Sequence, residues 1–244
     1  MYTHQLIEPY AITVLSNEWW INNIIAFFFI SLFLFIGIKI KHNKSLISKY
    51  TLFIGVFLIL RLLWNQWYQY IHGHWSIEWS LPIQMCSFSA MLSGIIPLFI
   101  YFNVNDKLKR LLFEFIFYWG VGALYALLTP QYTHGIYGFI YQDYYVSHGG
   151  IIFVILYCIF VYDYKPREYS WFKIFAYSQV VLFIIHFINR SIGGVANYFY
   201  TVIPPIADNP FVMGEFPMHI IMLDIFALMH FFLFYIIFRY LKKS

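Results

Sequence analysis

The run from Lys39 to Ile71, KIKHNKSLISKYTLFIGVFLILRLLWNQWYQYI, passes from four lysines within eleven residues into 22 residues that carry a single charge, Arg61. An α-helix needs about 20 largely apolar residues to cross the hydrocarbon of a bilayer, and basic residues collect in cytoplasmic loops. The stretch therefore reads as a cytoplasmic connection feeding a membrane span. The whole chain agrees: of 244 residues, 61% are hydrophobic, 24% aromatic and only 11% charged, with a mean hydropathy of +0.68. That composition excludes an ordinary soluble domain.

Working outward, spans are expected at about Trp19–Ile40, Tyr50–Ile71, Leu81–Phe102, Lys109–Thr129, Val146–Tyr164, Trp171–Ile192 and Pro217–Tyr240. This predicts an all-α polytopic membrane protein, 1–244 forming a single integral membrane domain of seven transmembrane helices. Thirteen of the fifteen basic residues fall in alternate connections or the tail: Lys39, Lys41, Lys44 and Lys49; Lys107, Lys109 and Arg110; Lys165, Arg167 and Lys173; Arg239, Lys242 and Lys243. The intervening loops Tyr70–Ser80, Pro130–Tyr145 and Gly193–Phe216 contain none. The N-terminus is expected outside and the C-terminus in the cytoplasm of a plasma-membrane protein. Met1–Asn17 lacks the basic start of a signal peptide, so the first helix is expected to stay. Cys86 and Cys158 both fall within expected helices and imply no disulfide framework. The basic flanks suit anionic lipid headgroups, and no basic patch is interleaved with aromatics, so no nucleic-acid partner is expected.

Ionisable side chains inside a bilayer need a partner or a job. The candidates are Arg61, Glu114, His148, His186, Arg190, Asp224 and His230. Arg61, near the middle of its span, is expected to form a structural ion pair with Glu114 or Asp224. The other polar residues converge on the outer leaflet: Cys86 lies roughly 7–8 Å into its helix at 1.5 Å per residue, and seven of nine histidines (His4, His72, His74, His134, His148, His186 and His219) are outer.

LPIQMCSFSA, residues 81–90, concentrates a glutamine, a cysteine and two serines at that level. A thiol in apolar surroundings needs a base to become a nucleophile, and His148, in VSHGGII, is chemically suited. Cys86 is equally readable as a small packing residue, and His148 as an interfacial histidine bonded to a carbonyl. On the sixth helix Gln179, His186, Asn189 and Arg190 cluster; Arg190 either clamps a phosphate or carboxylate or extends to water.

LPIQMCSFSA, ALYALLTPQ, SHGGIIFVILY and NRSIGGVANYFY together resemble successive landmarks of the YwaF-like bacterial integral membrane proteins. These are related to an animal seven-helix transmembrane cysteine acyltransferase of ether phospholipids. The resemblance runs from about Leu81 through the seventh helix. It implies a nucleophilic cysteine at Cys86, a histidine base at His148, and a pocket segment containing Asn189, Asn197 and Tyr198. A more distant similarity is to androgen-induced lipid hydrolases, which use a threonine where this chain has cysteine.

The expected function is a membrane phospholipid acyltransferase, transacylase or lipid hydrolase with membrane phospholipids as substrates and no cofactor. In it Arg190 holds the headgroup, and Gln84 or Asn189 serves the oxyanion, with His186, Asn197 and Tyr198 lining the site. Two alternatives belong to other classes. One is a metal-dependent hydrolase with His148, His186, His219 and Asp224 as ligands. The other is a transporter using Arg61, Glu114 and Asp224, or a receptor, although the seventh helix offers no lysine for a retinal Schiff base before Lys242. The loop Gly193–Phe216, stiffened by Pro204, Pro205 and Pro210, reads as a lid, and the tyrosines of Pro130–Tyr145 as an interfacial belt.

Overall fold

A computed structural model describes residues 8–133, 135–205 and 213–240. Expectations on His4, His134, Asp208, Pro210, Lys242 and Lys243 lie outside the described residues. Seven helices follow one another: α1 (Asn17–Ile40), α2 (Lys44–Ile71), α3 (Met85–Tyr101), α4 (Asp106–Leu128), α5 (Ile140–Val161), α6 (Ser170–Ile192) and α7 (Met218–Tyr240). Two short strands, β1 (Tyr10–Ala11) and β2 (Gln131–Tyr132), pair antiparallel, Tyr10 opposite Tyr132. Six helices are long and apolar enough to cross a membrane, and α3 is shorter. Most exposed side chains of α1, Ile24, Ile25, Phe28 and Phe29 among them, are apolar, as a surface solvated by lipid requires.

The helix starts differ from the sequence expectation for local reasons. α2 begins six residues before Tyr50 because the Asn43 side chain accepts the N–H of Leu46 at 3.1 Å, a cap that lets lysines occupy the first turn. α4 begins at Asp106 behind Asn105, whose side chain accepts from Lys107 at 2.9 Å. α5 begins at Ile140, so Tyr141, Asp143, Tyr144 and Tyr145 are helical rather than loop. The third element starts later than Leu81: residues 81–84 are turns, and the Leu81 N–H goes to the Tyr198 hydroxyl at 3.0 Å.

The chain groups into two compact units. The first holds residues 1–74 and 86–164. In it α5 is the central helix, packed on α1, α4 and α2, and Ile151, Val154, Tyr157 and Cys158 are fully buried along it. Thr51 ties α2 to this helix, its hydroxyl 2.8 Å from that of Tyr157 and 2.6 Å from that of Tyr162. At the other end Trp19 Nε1 donates to the Leu128 carbonyl at 2.6 Å. Trp19, Ile12 and Tyr132 form a buried cluster against which Tyr141, Tyr144 and Tyr145 pack. These tyrosines belong to the protein core at that end, and Glu18 accepts from the Tyr141 hydroxyl at 2.6 Å.

α2 and α3 approach through Gly55 and Gly94. A Cβ on Gly94 would lie 2.7 Å from Ile59 Cδ1 and 3.2 Å from the Ile59 backbone nitrogen; small residues permit such close helix contact in membranes. The second unit holds residues 75–85 and 165–244. There α6 and α7 pack through Trp171 on Phe232 and Phe175 on Phe231. Gln179 Nε2 donates to Asp224 Oδ1 at 3.1 Å.

Gly94→Val should lower stability by about 1–3 kcal/mol through overpacking. Thermal unfolding of the detergent-solubilised chain measures it, and an unchanged midpoint would contradict the close α2–α3 contact.

Candidate functional site

Cys86 is the second residue of α3 and is half-buried. The first four N–H groups of an α-helix have no partner within the helix, so the thiol sits beside backbone donors. His148, on α5, is 7% exposed. Its Nδ1 lies 2.7 Å from the Tyr144 carbonyl oxygen. A carbonyl only accepts, so Nδ1 carries the hydrogen, and in the neutral ring Nε2 keeps a lone pair. Both residues belong to the first unit. Among the described residues no hydrogen bond joins the thiol to the imidazole. His230 makes the same backbone bond, to the Phe226 carbonyl at 2.6 Å; the bond is thus an ordinary helical feature, and what it fixes is the tautomer.

Arg61 is paired, but not with Glu114 or Asp224. Its NH1 lies 2.8 Å from Asp143 Oδ2, with both side chains buried. The expected pairing fails because Asp143, placed in a loop by the sequence reading, is on the first turn of α5. Asp224 instead accepts from Gln179, and Glu114 is buried within α4. Asn65 Nδ2 donates to the same Asp143 oxygen at 2.6 Å, and Gln69 Nε2 to Asn65 Oδ1 at 2.6 Å. Asp143 Oδ1 is buried without a hydrogen-bond partner among the described residues. Arg61 and Asp143 together are neutral.

The residues expected to line a pocket lie mostly in the second unit, and there they hold backbone. Asn189 Nδ2 donates to the Tyr198 carbonyl and to Thr201 Oγ1, each at 2.8 Å, and Asn189 Oδ1 accepts the Tyr198 N–H at 2.9 Å. The Tyr198 hydroxyl donates to the Ile77 carbonyl at 2.8 Å and accepts from Leu81. Gln84 Oε1 accepts the Phe199 N–H. Asn197 Oδ1 accepts from Val202 and Ile203 at 3.1 and 3.2 Å. His186 bonds the Thr201 carbonyl through Nδ1 at 3.1 Å and stacks on Phe216. His219, fully buried, bonds the Tyr200 carbonyl through Nε2 at 2.8 Å, its Nδ1 without a partner among the described residues.

Residues 193–205 of the expected lid are therefore pinned; 206–212 lie outside the described residues. Asn189, with three bonds and 2% exposure, is a positioning residue rather than an oxyanion donor. Arg190 is exposed at the end of α6. Among the described residues no group of three or more His, Cys, Asp and Glu side chains could share a metal ion. Asp143, Asn65, Thr201 and the role of His219 were missed by the sequence reading. The available signal for Asp143 was a carboxylate five residues before His148 in an otherwise apolar and aromatic run.

A model of the TMEM164 family matches residues 14–235. The chain belongs to that family and is a multi-pass membrane protein. No curated protein and no solved structure matches it.

Burial pushes the Tyr198 phenol up to about 12, opposed by the N–H donated from Leu81. Its folded pKa lies above the ordinary value of about 10, so its contribution is fully present below pH 10 and is lost as pH rises through about 12. Tyr198→Phe should cost about 1–2 kcal/mol at pH 8, and the gap between the parent and variant melting curves should close between pH 10 and 12. A constant gap across that range would contradict the assignment.

Proposed function

We propose, taking membership of the TMEM164 family as the premise, that the chain is a phospholipid acyltransferase or lipid hydrolase working through an acyl-Cys86 intermediate in the outer leaflet of the plasma membrane. The observation that carries this reading is the tautomer of His148, whose Nε2 lone pair is held in a buried stretch of the same unit as Cys86. The resemblance to cysteine acyltransferases supplies the reaction class.

In this mechanism His148 Nε2 takes the thiol proton and the thiolate attacks the carbonyl carbon of an acyl ester. A C–S bond forms, the ester C–O bond breaks, and the imidazolium returns its proton to the departing oxygen. An alcohol or water then attacks the thioester. Its proton passes to Nε2 and on to sulfur as the C–S bond breaks. Two easier steps replace one difficult step. The first-turn N–H groups of α3 suit the developing oxyanion, a contact whose loss typically costs about 10²–10³ in rate.

This reading includes an orientation with the N-terminus outside, supported by the basic loops and by Lys39 and Arg239 in the last turns of α1 and α7. A C-terminal green fluorescent protein should fluoresce and a C-terminal alkaline phosphatase should be inactive; the reverse pattern would invert the topology.

The decisive experiment is intact-protein mass spectrometry after incubation with mixed phospholipids. A fatty-acyl mass should map to Cys86, vanish in Cys86→Ala and fall at least about tenfold in His148→Ala, in line with the usual worth of a general base. No adduct on the parent chain, with lipid turnover unchanged in Cys86→Ser, would reject the cysteine route.

A further inference from the structure

We infer that Arg61 and Asp143 form an open ion pair that binds a neutral hydroxyl group of a lipid. In the reaction proposed above, on which this assignment rests, that hydroxyl is the acyl acceptor.

A closed buried pair uses both carboxylate oxygens against two parallel guanidinium N–H groups. This pair does not. NH1 of Arg61 and Nδ2 of Asn65 both donate to Asp143 Oδ2, at 2.8 and 2.6 Å, while Oδ1 is buried with no partner among the described residues. The rest of the guanidinium finds no acceptor there either, although Arg61 is only 8% exposed and Asp143 4%. Asn65 cannot turn to fill the gap, because its own oxygen accepts from Gln69. The pair thus leaves one buried carboxylate oxygen, and the guanidinium nitrogens other than NH1, outside its own hydrogen bond.

The ligand chemistry follows from that deficit. An anion supplies acceptors alone and would abut the bare carboxylate oxygen; an ammonium supplies donors alone and would abut the guanidinium. A hydroxyl satisfies both from one oxygen, its lone pair taken by Arg61 and its hydrogen given to Asp143 Oδ1. It also leaves the cluster neutral, which a low-dielectric site favours. Arg61, Asn65 and Gln69 recur every four residues and so lie along one face of α2. They form a polar track toward the helix end at Ile71. Asp143 lies five residues before His148 on α5, which places this hydroxyl site roughly 7–8 Å along the helix axis from the proposed base.

The test measures binding to detergent-solubilised Cys86→Ala protein, where no acyl-cysteine can form. The probes are a lysophosphatidylcholine with a free glycerol hydroxyl and its O-methyl ether of the same chain, scored by native mass spectrometry. The free hydroxyl should bind about tenfold more tightly, the usual range for a hydrogen bond to a charged group. In Arg61→Met/Asp143→Leu, where apolar replacement of both partners is well tolerated, that preference should fall to about one.

Equal binding of the two probes would assign the pair to a bound water or to structure alone and overturn the inference, with no variant needed. A preference that survives the double substitution would overturn it as well. A hydroxyl preference that depends on the pair, found where the parent chain forms no acyl adduct, would keep the binding site and reject the acyl-cysteine reading.

Discussion

A buried donor or acceptor cut off from water must find its partner within the protein. Non-helical backbone buried in protein is tolerated only under that condition. The segment 193–205 meets it through side chains: Asn189, Asn197, Gln84, His186 and His219 each bond backbone in or beside it. Losing one such partner costs about 1–3 kcal/mol for each group left bare. The turns at 81–84, which lead into α3, are held by the Tyr198 hydroxyl under the same rule.

The same constraint separates closed polar networks from open ones. Thr51 is closed: its hydroxyl meets the Ile47 carbonyl and two tyrosine hydroxyls. Asn189 is closed, with both donors and its oxygen engaged. Arg61–Asp143 is open, as is the Nε2 of His148. Closed networks fix geometry and leave nothing for a ligand. Open groups in buried settings are costly to maintain, so they mark where the protein is built to meet something else. On that criterion Arg61–Asp143, on α2 and α5, is one candidate, and His219 Nδ1, on the residue that bonds the Tyr200 carbonyl, is another.

Much of the architecture was legible in hydropathy and lysine placement, because span length and charge asymmetry act on whole segments. Starts of helices were less so. The reading began the fifth helix at Val146, after the cluster Tyr141–Tyr145, and that cluster is the first turn and a half of α5 packed on Trp19 and Tyr132. The error removed Asp143 from the intramembrane carboxylates and left Arg61 without its true partner. The segment Leu81–Gln84 was read as helix because it is apolar, whereas Tyr198, distant in sequence, decides its conformation. Gln84, Asn189, Asn197 and Tyr198 were rightly noticed as polar residues in an unexpected place. Sequence could not distinguish a polar group waiting for a ligand from one already bonded to backbone, since that depends on tertiary partners.

His148 and His230 share one backbone bond but not one setting. Both imidazoles bond the carbonyl four residues earlier, so the bond alone carries no function. His148 differs in its setting: it lies on the buried central helix of a unit that also holds Cys86, five residues after the Asp143 that pairs with Arg61. Asp143 also neutralises Arg61. Without it, the buried guanidinium would stand as an uncompensated charge in the same unit as His148. The ion pair thus removes a cost that a lone buried arginine would leave. This gives Asp143 a structural reason to sit on the first turn of α5, in addition to the oxygen it leaves unbonded.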